Sequence, residues 1–310
     1  MTLTRLTGQT MLITGGAGFI GSHLARALLT HGAIVRILDD LSTGHRSNVP
    51  DGAAFIQGSI LDNAALQRAI DGCSVIFHEA AMVSVPASVA DPGRCVDINL
   101  TGTQRLIDAA RYAGASRIVL ASSAAVYGDD ATLPSREDDA IDPRSPYAAT
   151  KIAGEHLLRS AASCYDISTV SLRYFNIFGV RQDPNSAYAA AIAAFADALT
   201  HGRAPTVYGD GRQSRDFTPV ENVVHANLLA ATTDTDLRGD AVNIGTGVQI
   251  SLLDVIDEMQ RILGTDVTPV FEPARAGDVR HSCPDITRAR ELLGYEPIVT
   301  FAEGMRTLLA

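Results

Sequence analysis

Short apolar runs alternate with amphipathic stretches over the first half of the chain. Strands are predicted at residues 10–14, 33–39, 54–57, 75–78, 117–122 and 169–174, separated by helices at 19–31, 63–70, 95–113 and 147–164. In the first helix Ile20, Leu24 and Leu28 recur at a four-residue interval, which gives it one buried stripe. This strand–helix alternation implies a parallel sheet with helices on both faces. After Gly179 the pattern loosens into Pro- and Gly-rich connections, with helices at 188–200, 221–232 and 252–263. Ser251 is placed to cap the last of these, and Thr300 with Glu303 to form a capping box for a terminal helix. The expected architecture is α/β. A Rossmann-type doubly wound parallel sheet occupies residues 1–175, residues 218–245 return to it through a strand near 241–245, and a smaller C-terminal substrate domain spans 176–310. No internal repeat is visible.

Length and composition narrow the class. A chain of 310 residues suffices for roughly two domains, and 46% hydrophobic with 19% charged residues excludes collagenous and disordered chains. No apolar run reaches the roughly 18–20 residues that cross a bilayer, and the first apolar segment already contains a glycine-rich turn, unlike a secretory signal. Cys73, Cys95, Cys164 and Cys283 lie far apart without metal-ligand or framework spacing, so a reduced, cytoplasmic protein with buried thiols and no metal is expected. The formal charge of −10 argues against nucleic acid, which needs a basic stripe. An anionic small ligand stays open if a few arginines are locally focused.

The 25 basic residues include one lysine, Lys151, and 24 arginines. Where guanidinium can replace ammonium, this chain has taken arginine. A lone lysine therefore marks a place for a compact point charge rather than a planar fork.

The first predicted strand runs into Gly15-Gly16-Ala17-Gly18-Phe19-Ile20-Gly21, and Gly16, Gly18 and Gly21 satisfy G-x-G-x-x-G between a strand and a helix. Glycine lets the backbone turn tightly and approach a pyrophosphate whose charge rests on the helix N-terminus. Gly15, Gly18, Phe19, Ile20 and Gly21 are the residues expected against a dinucleotide. Asp39 ends the second strand 18 residues after Gly21, where a carboxylate can bind both hydroxyls of an adenosine ribose. The same carboxylate repels a 2'-phosphate, which favours NAD, while Arg36 and Arg46 nearby leave NADP open.

Tyr147 and Lys151 stand four residues apart, on one helical face with adjacent side chains. A cation beside a phenol favours the phenolate, which makes the pair a general base usable near neutral pH.

Together with Ser122-Ser123-Ala124-Ala125-Val126-Tyr127-Gly128 after a strand, these motifs resemble the extended short-chain dehydrogenase/reductase family, and within it the nucleotide-sugar 4-epimerases. The resemblance covers nearly the whole chain and continues through Arg173-Tyr174-Phe175-Asn176, Arg181-Gln182-Asp183-Pro184-Asn185, Ser214-Arg215-Asp216-Phe217 and Arg275-Ala276-Gly277-Asp278. It implies a Rossmann-type fold, bound NAD and a UDP-sugar substrate. By that resemblance Ser123 hydrogen-bonds the sugar O4, Tyr147 is the base, and Lys151 holds both the phenolate and the nicotinamide ribose. Ser59 and Ile60 match an adenine-contacting pair, although aspartate is more usual at Ser59. Ala80, Ala81, Asn99 and Tyr174 match cofactor-facing positions, and Glu79 stands where the family usually has an apolar residue.

For the substrate, the resemblance assigns Asn176 to the diphosphate or sugar, Arg215 and Arg275 to the diphosphate, Asp278 to the ribose and Tyr208 to the uracil pocket. Ser282 matches the position facing the sugar C2 substituent, where a small residue admits an N-acetyl group, and Asn185 offers an amide partner nearby. The implied reaction is 4-epimerisation of a UDP-hexose or UDP-N-acetylhexosamine through a 4-keto sugar. A UDP-glucuronate 4-epimerase and a nucleotide-sugar dehydratase are alternatives on the same scaffold, and an NAD-sensing regulator is a third. Dehydratases need acid–base groups after the serine, where this chain has Ala124 and Ala125; a regulator has no need of the Tyr147 and Lys151 pair. Helices 95–113 and 147–164 carry more Ala and Leu than one core stripe requires, which with the resemblance implies a homodimer.

Overall fold

The structure, a computed structural model, describes residues 3–129, 131–182, 190–274 and 279–310. β1 (Thr10–Thr14) leads through the glycine loop into α1 (Phe19–Thr30), followed by β2 (Ile34–Asp39), β3 (Ala54–Gln57), α2 (Asn63–Ile70) and β4 (Val75–His78). Then come α3 (Val85–Ala90), α4 (Pro92–Val96), a π-helical turn at Asp97–Thr101, α5 (Gly102–Ala113), β5 (Arg117–Ser123), α6 (Pro146–Cys164) and β6 (Ser168–Tyr174). The next stretch holds β7 (Ile177–Phe178), α7 (Ala190–Thr200), β8 (Thr206–Tyr208), β9 (Ser214–Arg215), β10 (Thr218–Pro219), α8 (Val220–Thr232) and β11 (Arg238–Ile244). The chain closes with β12 (Ile250–Ser251), α9 (Leu252–Leu263), β13 (Val270–Glu272), β14 (His281–Ser282), α10 (Thr287–Leu293) and α11 (Phe301–Leu309).

Seven strands form one sheet in the order β11-β6-β5-β4-β1-β2-β3, every neighbouring pair parallel. The two-residue alternation of a strand sends its apolar side chains to two separate cores. Met11, Ile13 and Phe77 pack with Leu24 and Leu28 of α1 and Val223 of α8, whereas Leu12, Ile76 and Leu120 pack with Leu66, Leu106 and Leu158 of α2, α5 and α6. Burying each such side chain stabilises the fold by about 1.5–3 kcal/mol, and a sheet covered on both sides is the Rossmann-type arrangement. A third core, with Phe178, Phe195, Val207, Phe217, Ile256 and Met305, lies among α7, α9 and α11. Strand order reverses at β1, whose neighbours are β2 and β4, so a crevice opens at the carboxyl ends of these strands.

Two expectations need correction. The helix expected at 95–113 is interrupted: α4 passes through the π turn before α5 begins, and the wider turn carries Asn99 inward. Cys164 is exposed rather than buried, because it ends α6 on a turn that faces solvent, while Cys73, Cys95 and Cys283 are buried and all four are unpaired. Capping follows the sequence: Ser251 and Thr300 each complete a capping box, with Asp254 and Glu303. Among the described residues no helix is long and apolar enough to cross a membrane, and no cluster of His, Cys, Asp and Glu could hold a metal ion.

Candidate active site

The glycine loop is shaped by what its backbone touches. Gly15 has φ of +70°, and a Cβ there would sit 2.7 Å from the Ala80 nitrogen. A Cβ on Gly21 would collide with the Gly15 carbonyl oxygen. Loop and helix thus pack backbone against backbone, and α1 begins at Gly18 and Phe19 with its first N–H groups lacking partners within the helix. At the end of β2 the Asp39 carboxylate accepts hydrogen bonds from the Ala17 nitrogen (2.9 Å) and the Leu41 nitrogen (2.8 Å). Burial raises its pKa while these bonds pull it back toward the charged form. Glycine cradle, helix start and fixed carboxylate together fit a dinucleotide with an unphosphorylated adenosine ribose.

On the neighbouring rim, Ser59 closes a turn by accepting from the Leu61 nitrogen (3.2 Å). Ile60 is a core residue whose side chain lies under Gly102, leaving its backbone for any ligand. Ala80 and Ala81 follow β4, and the Ala80 nitrogen donates to Thr14 Oγ1 (3.3 Å). Asn99 is buried with its amide engaged: Oδ1 accepts from the Met82 nitrogen (2.7 Å) and Nδ2 donates to the Met82 carbonyl (3.1 Å) and Thr150 Oγ1 (3.0 Å). It ties the loop after β4 to α6.

The catalytic helix α6 starts with Ser145, whose hydroxyl accepts from the Ala148 nitrogen (3.1 Å), and with Pro146 in the first turn, a residue pair suited to initiation. Tyr147 and Lys151 share its inward face and both are buried. The Lys151 ammonium donates to the Ala121 carbonyl (2.8 Å) and lies 5.7 Å from the centre of the Tyr147 ring. Burial lowers the Lys151 pKa to about 8, with Glu79 opposing that shift. Ser123 ends β5 two residues after Ala121, and its hydroxyl accepts from the Ala125 nitrogen (3.2 Å). The ammonium, with the Tyr147 ring beside it, thus lies at the strand end that carries Ser123.

Several supporting groups are joined by contacts that the sequence does not announce. His78 is buried between Thr14 Oγ1 (2.8 Å) and Thr103 Oγ1 (3.0 Å), and burial lowers its pKa to about 3, so the ring stays neutral. Glu155, four residues beyond Lys151, accepts from Ser122 Oγ (2.5 Å) and from Arg173 Nε (2.9 Å) and Nη2 (2.7 Å). This bidentate buried pair locks α6 onto β5 and β6. Its position one turn after Lys151 was the available clue. Tyr174, at the end of β6, donates to Glu79 Oε1 (2.9 Å) and accepts from Asn227 Nδ2 (2.8 Å), so its hydroxyl is committed to protein.

The other end of the crevice is built from very short strands. β14 runs parallel to β9 with Ser282 opposite Arg215, and Arg215 Nη1 donates to the Ser214 (3.0 Å) and Arg280 (3.3 Å) carbonyls. Tyr208 ends β8 with its ring partly exposed, and its carbonyl accepts from Gln213 Nε2 (2.6 Å). Asn176 adopts a left-handed φ of 37°, and its carbonyl accepts from the Thr218 nitrogen (3.2 Å). Asn185, Arg275 and Asp278 lie outside the described residues. The buried Asp216 carboxylate accepts from the hydroxyls of Thr218 (2.8 Å) and Thr246 (2.9 Å) and from the Thr246 (2.8 Å) and Gly247 (2.6 Å) nitrogens.

Comparison with known proteins gives a concordant picture. Residues 11–245 match the sequence profile described as the NAD dependent epimerase/dehydratase family. The UDP-glucose 4-epimerase of Mycolicibacterium smegmatis is 41% identical over 302 residues, covering 95% of each chain. Among solved structures, the UDP-N-acetylglucosamine 4-epimerase of Methanobrevibacter ruminantium, in complex with UDP-N-acetylmuramic acid, superposes with a TM-score of 0.92 at 35% identity over 98% of this chain and 97% of that one. The UDP-glucose 4-epimerase of Thermus thermophilus, in complex with NAD, gives a TM-score of 0.86 at 35% identity over 97% of this chain and 98% of that one.

Proposed function

The chain belongs to the NAD dependent epimerase/dehydratase family, and from that premise we propose that it is a UDP-sugar 4-epimerase acting on a UDP-hexose or UDP-N-acetylhexosamine with NAD as resident cofactor. The observation that carries the reading is the buried Lys151 ammonium, anchored on the Ala121 carbonyl beside the Tyr147 ring, at the strand end that carries Ser123. Tyr147 takes the proton of the sugar O4 and later gives it back, while Lys151 keeps the phenolate form accessible. Ser123 orients O4 through its hydroxyl. The chemistry supplied by bound NAD is acceptance of the C4 hydride and its return to the other face of the 4-keto sugar. Gly15, Gly18, Phe19, Ile20 and Gly21 hold the pyrophosphate, Asp39 the adenosine ribose, and the backbone near Ser59 and Ile60 the adenine. Ala80, Ala81, Asn99 and Tyr174 shape the wall on which the nicotinamide end rests. Ala124 and Ala125 cannot transfer the protons that an elimination requires, which favours epimerisation over dehydration.

In this reading residues 1–175, with 218–245, hold the cofactor, and the rest of 176–310 holds the nucleotide sugar. Arg215 and Arg275 neutralise the diphosphate, Asn176 supports it, Tyr208 lines the uracil pocket and Asp278 meets the ribose. Ser282 leaves room for a C2 N-acetyl group, and Asn185 offers it an amide partner. The unpaired cysteines support a reducing compartment, the cytoplasm. The exposed Val96 and Tyr112 on α4 and α5 support pairing of two copies along these helices.

The test is turnover of UDP-glucose and UDP-N-acetylglucosamine by the purified protein with no cofactor added, followed by proton NMR of the C4 epimers. Interconversion of either pair is expected. Strict dependence on a continuous supply of NAD, with net reduction, overturns the reading in favour of a dehydrogenase.

A further inference from the structure

Glu79 places an acidic side chain directly after β4, and the hydrogen bonds around it run in one consistent direction. Asn227 Nδ2 donates to the Val223 carbonyl (2.9 Å), which fixes the orientation of the amide. Its second N–H therefore points at the Tyr174 hydroxyl, 2.8 Å away. That hydroxyl, already accepting, directs its own proton to Glu79 Oε1 at 2.9 Å. A carboxylate that receives a donor aimed from a buried network is held in one place and favoured in its charged form. Glu79 directly follows β4, whose neighbour β5 supplies the Ala121 carbonyl that anchors Lys151.

We propose that Glu79 is a positioning residue of the site: its carboxylate, aimed by Tyr174 and Asn227, is the counter-charge that keeps Lys151 an ammonium while the Tyr147 phenol loses and regains its proton. The inference rests on the reading of Tyr147 and Lys151 as the proton-handling pair.

The charges around the pair leave this role to Glu79. The register of β4 with β5 sets Glu79, one residue past the His78–Leu120 pair, level with Ala121, whose carbonyl holds Lys151. Glu79, then Cys95 of α4 and Glu155 of α6, act on the ammonium, Tyr147 lies beside it, and His78 next to Glu79 is neutral. Glu155 is already paired bidentately with Arg173, whose guanidinium opposes its influence on Lys151. Glu79 is the foremost of the groups that offset the cost of burying the ammonium, and Lys151 in turn draws Glu79 toward its charged form against burial, which raises its pKa to about 7. Near neutral pH the two therefore titrate as a coupled pair.

The single lysine makes the test direct. Protein as purified, grown with lysine carbon-labelled at Cε, gives one lysine signal, and its pH midpoint reports Lys151 alone. Glu79→Gln preserves an acceptor for Tyr174 and removes only the charge, so the midpoint is expected to fall by about one pH unit. Tyr174→Phe, which removes the aimed donor, is expected to shift it in the same direction by less, and it carries the test if Glu79→Gln does not fold. In epimerase assays the Glu79→Gln and wild-type profiles are expected to converge well below the Glu79 midpoint of about 7. Above that midpoint the variant loses activity at lower pH than wild type. A lysine midpoint unmoved in both variants, or an equal loss of activity at every pH, overturns the inference. A wild type that turns over no UDP-sugar, while the midpoint still moves, overturns the proposed function and supports the pairing.

Discussion

The two ends of the crevice are built on different principles. At the end proposed for the cofactor, the loops follow β1, β2, β4 and β5, each paired on both sides, and at Gly15 and Gly21 even a methyl group has no room. At the end proposed for the sugar, β9, β10, β12 and β14 are two residues each, and the side chain of Asp216 ties β10 to the Thr246–Gly247 turn. A cofactor that stays through every turnover can be met by unyielding backbone. In the proposed reaction a sugar presents both faces of C4 in succession, and strands of two residues constrain its walls less than long ladders would.

The sharpest way to separate chemistry from either scaffold is Tyr147→Phe. It is expected to lower kcat by about 10²–10⁴-fold, with melting temperature and bound NAD unchanged, as measured by turnover, calorimetry and release of cofactor on denaturation. Next, Gly21→Ala attacks the rigid end. Because loop backbone must move to admit the methyl group, a loss of about 1–3 kcal/mol in stability is expected, together with loss of copurifying NAD. Ser282→Tyr attacks the adaptable end. The ring overfills the space opposite Arg215, so kcat/KM for N-acetylated substrates is expected to fall by about ten- to a hundredfold while UDP-glucose is spared; equal effects on both substrates would place the gate elsewhere.

The smallest effect concerns acid. His78 keeps a pKa near 3 against an ordinary value of 6.5. The unfolded chain therefore binds the extra proton between those values, and stability falls as pH falls through that window. Glu79, raised to about 7 from 4.5, acts in the opposite sense between 7 and 4.5. Between pH 6.5 and 4.5 the two offset each other to within about 1 kcal/mol, and the loss steepens below that range. Urea titrations at stepped pH check this, and His78→Asn is expected to flatten the steeper part.

The fold and the candidate residues were legible where spacing along the chain reflects proximity. The glycine loop and Asp39 lie within the single unit β1–α1–β2, and Tyr147 lies one turn from Lys151 within α6, so local pattern is enough to pick each out. The resemblance pointed to Tyr174 and singled out Glu79, but not their link to each other and to Asn227: the three come from the end of β4, from β6 and from α8, and only the sheet order brings them together. The π turn at Asn99 escaped for another reason, since one extra residue in a helix leaves the apolar period almost unchanged. Strands of two residues are too short to show an alternation at all.

The return of β11 to the sheet has a consequence for how the molecule is made. β6 is finished at residue 174, yet the strand that covers its outer edge begins at Arg238. During synthesis β7 to α8 emerge between the two, while β6 waits with a bare row of amides and carbonyls, the kind of edge that recruits stray strands. A chain truncated before Arg238 is thus expected to carry a complete glycine loop and catalytic pair and still aggregate, because the last stave of its sheet has not been delivered.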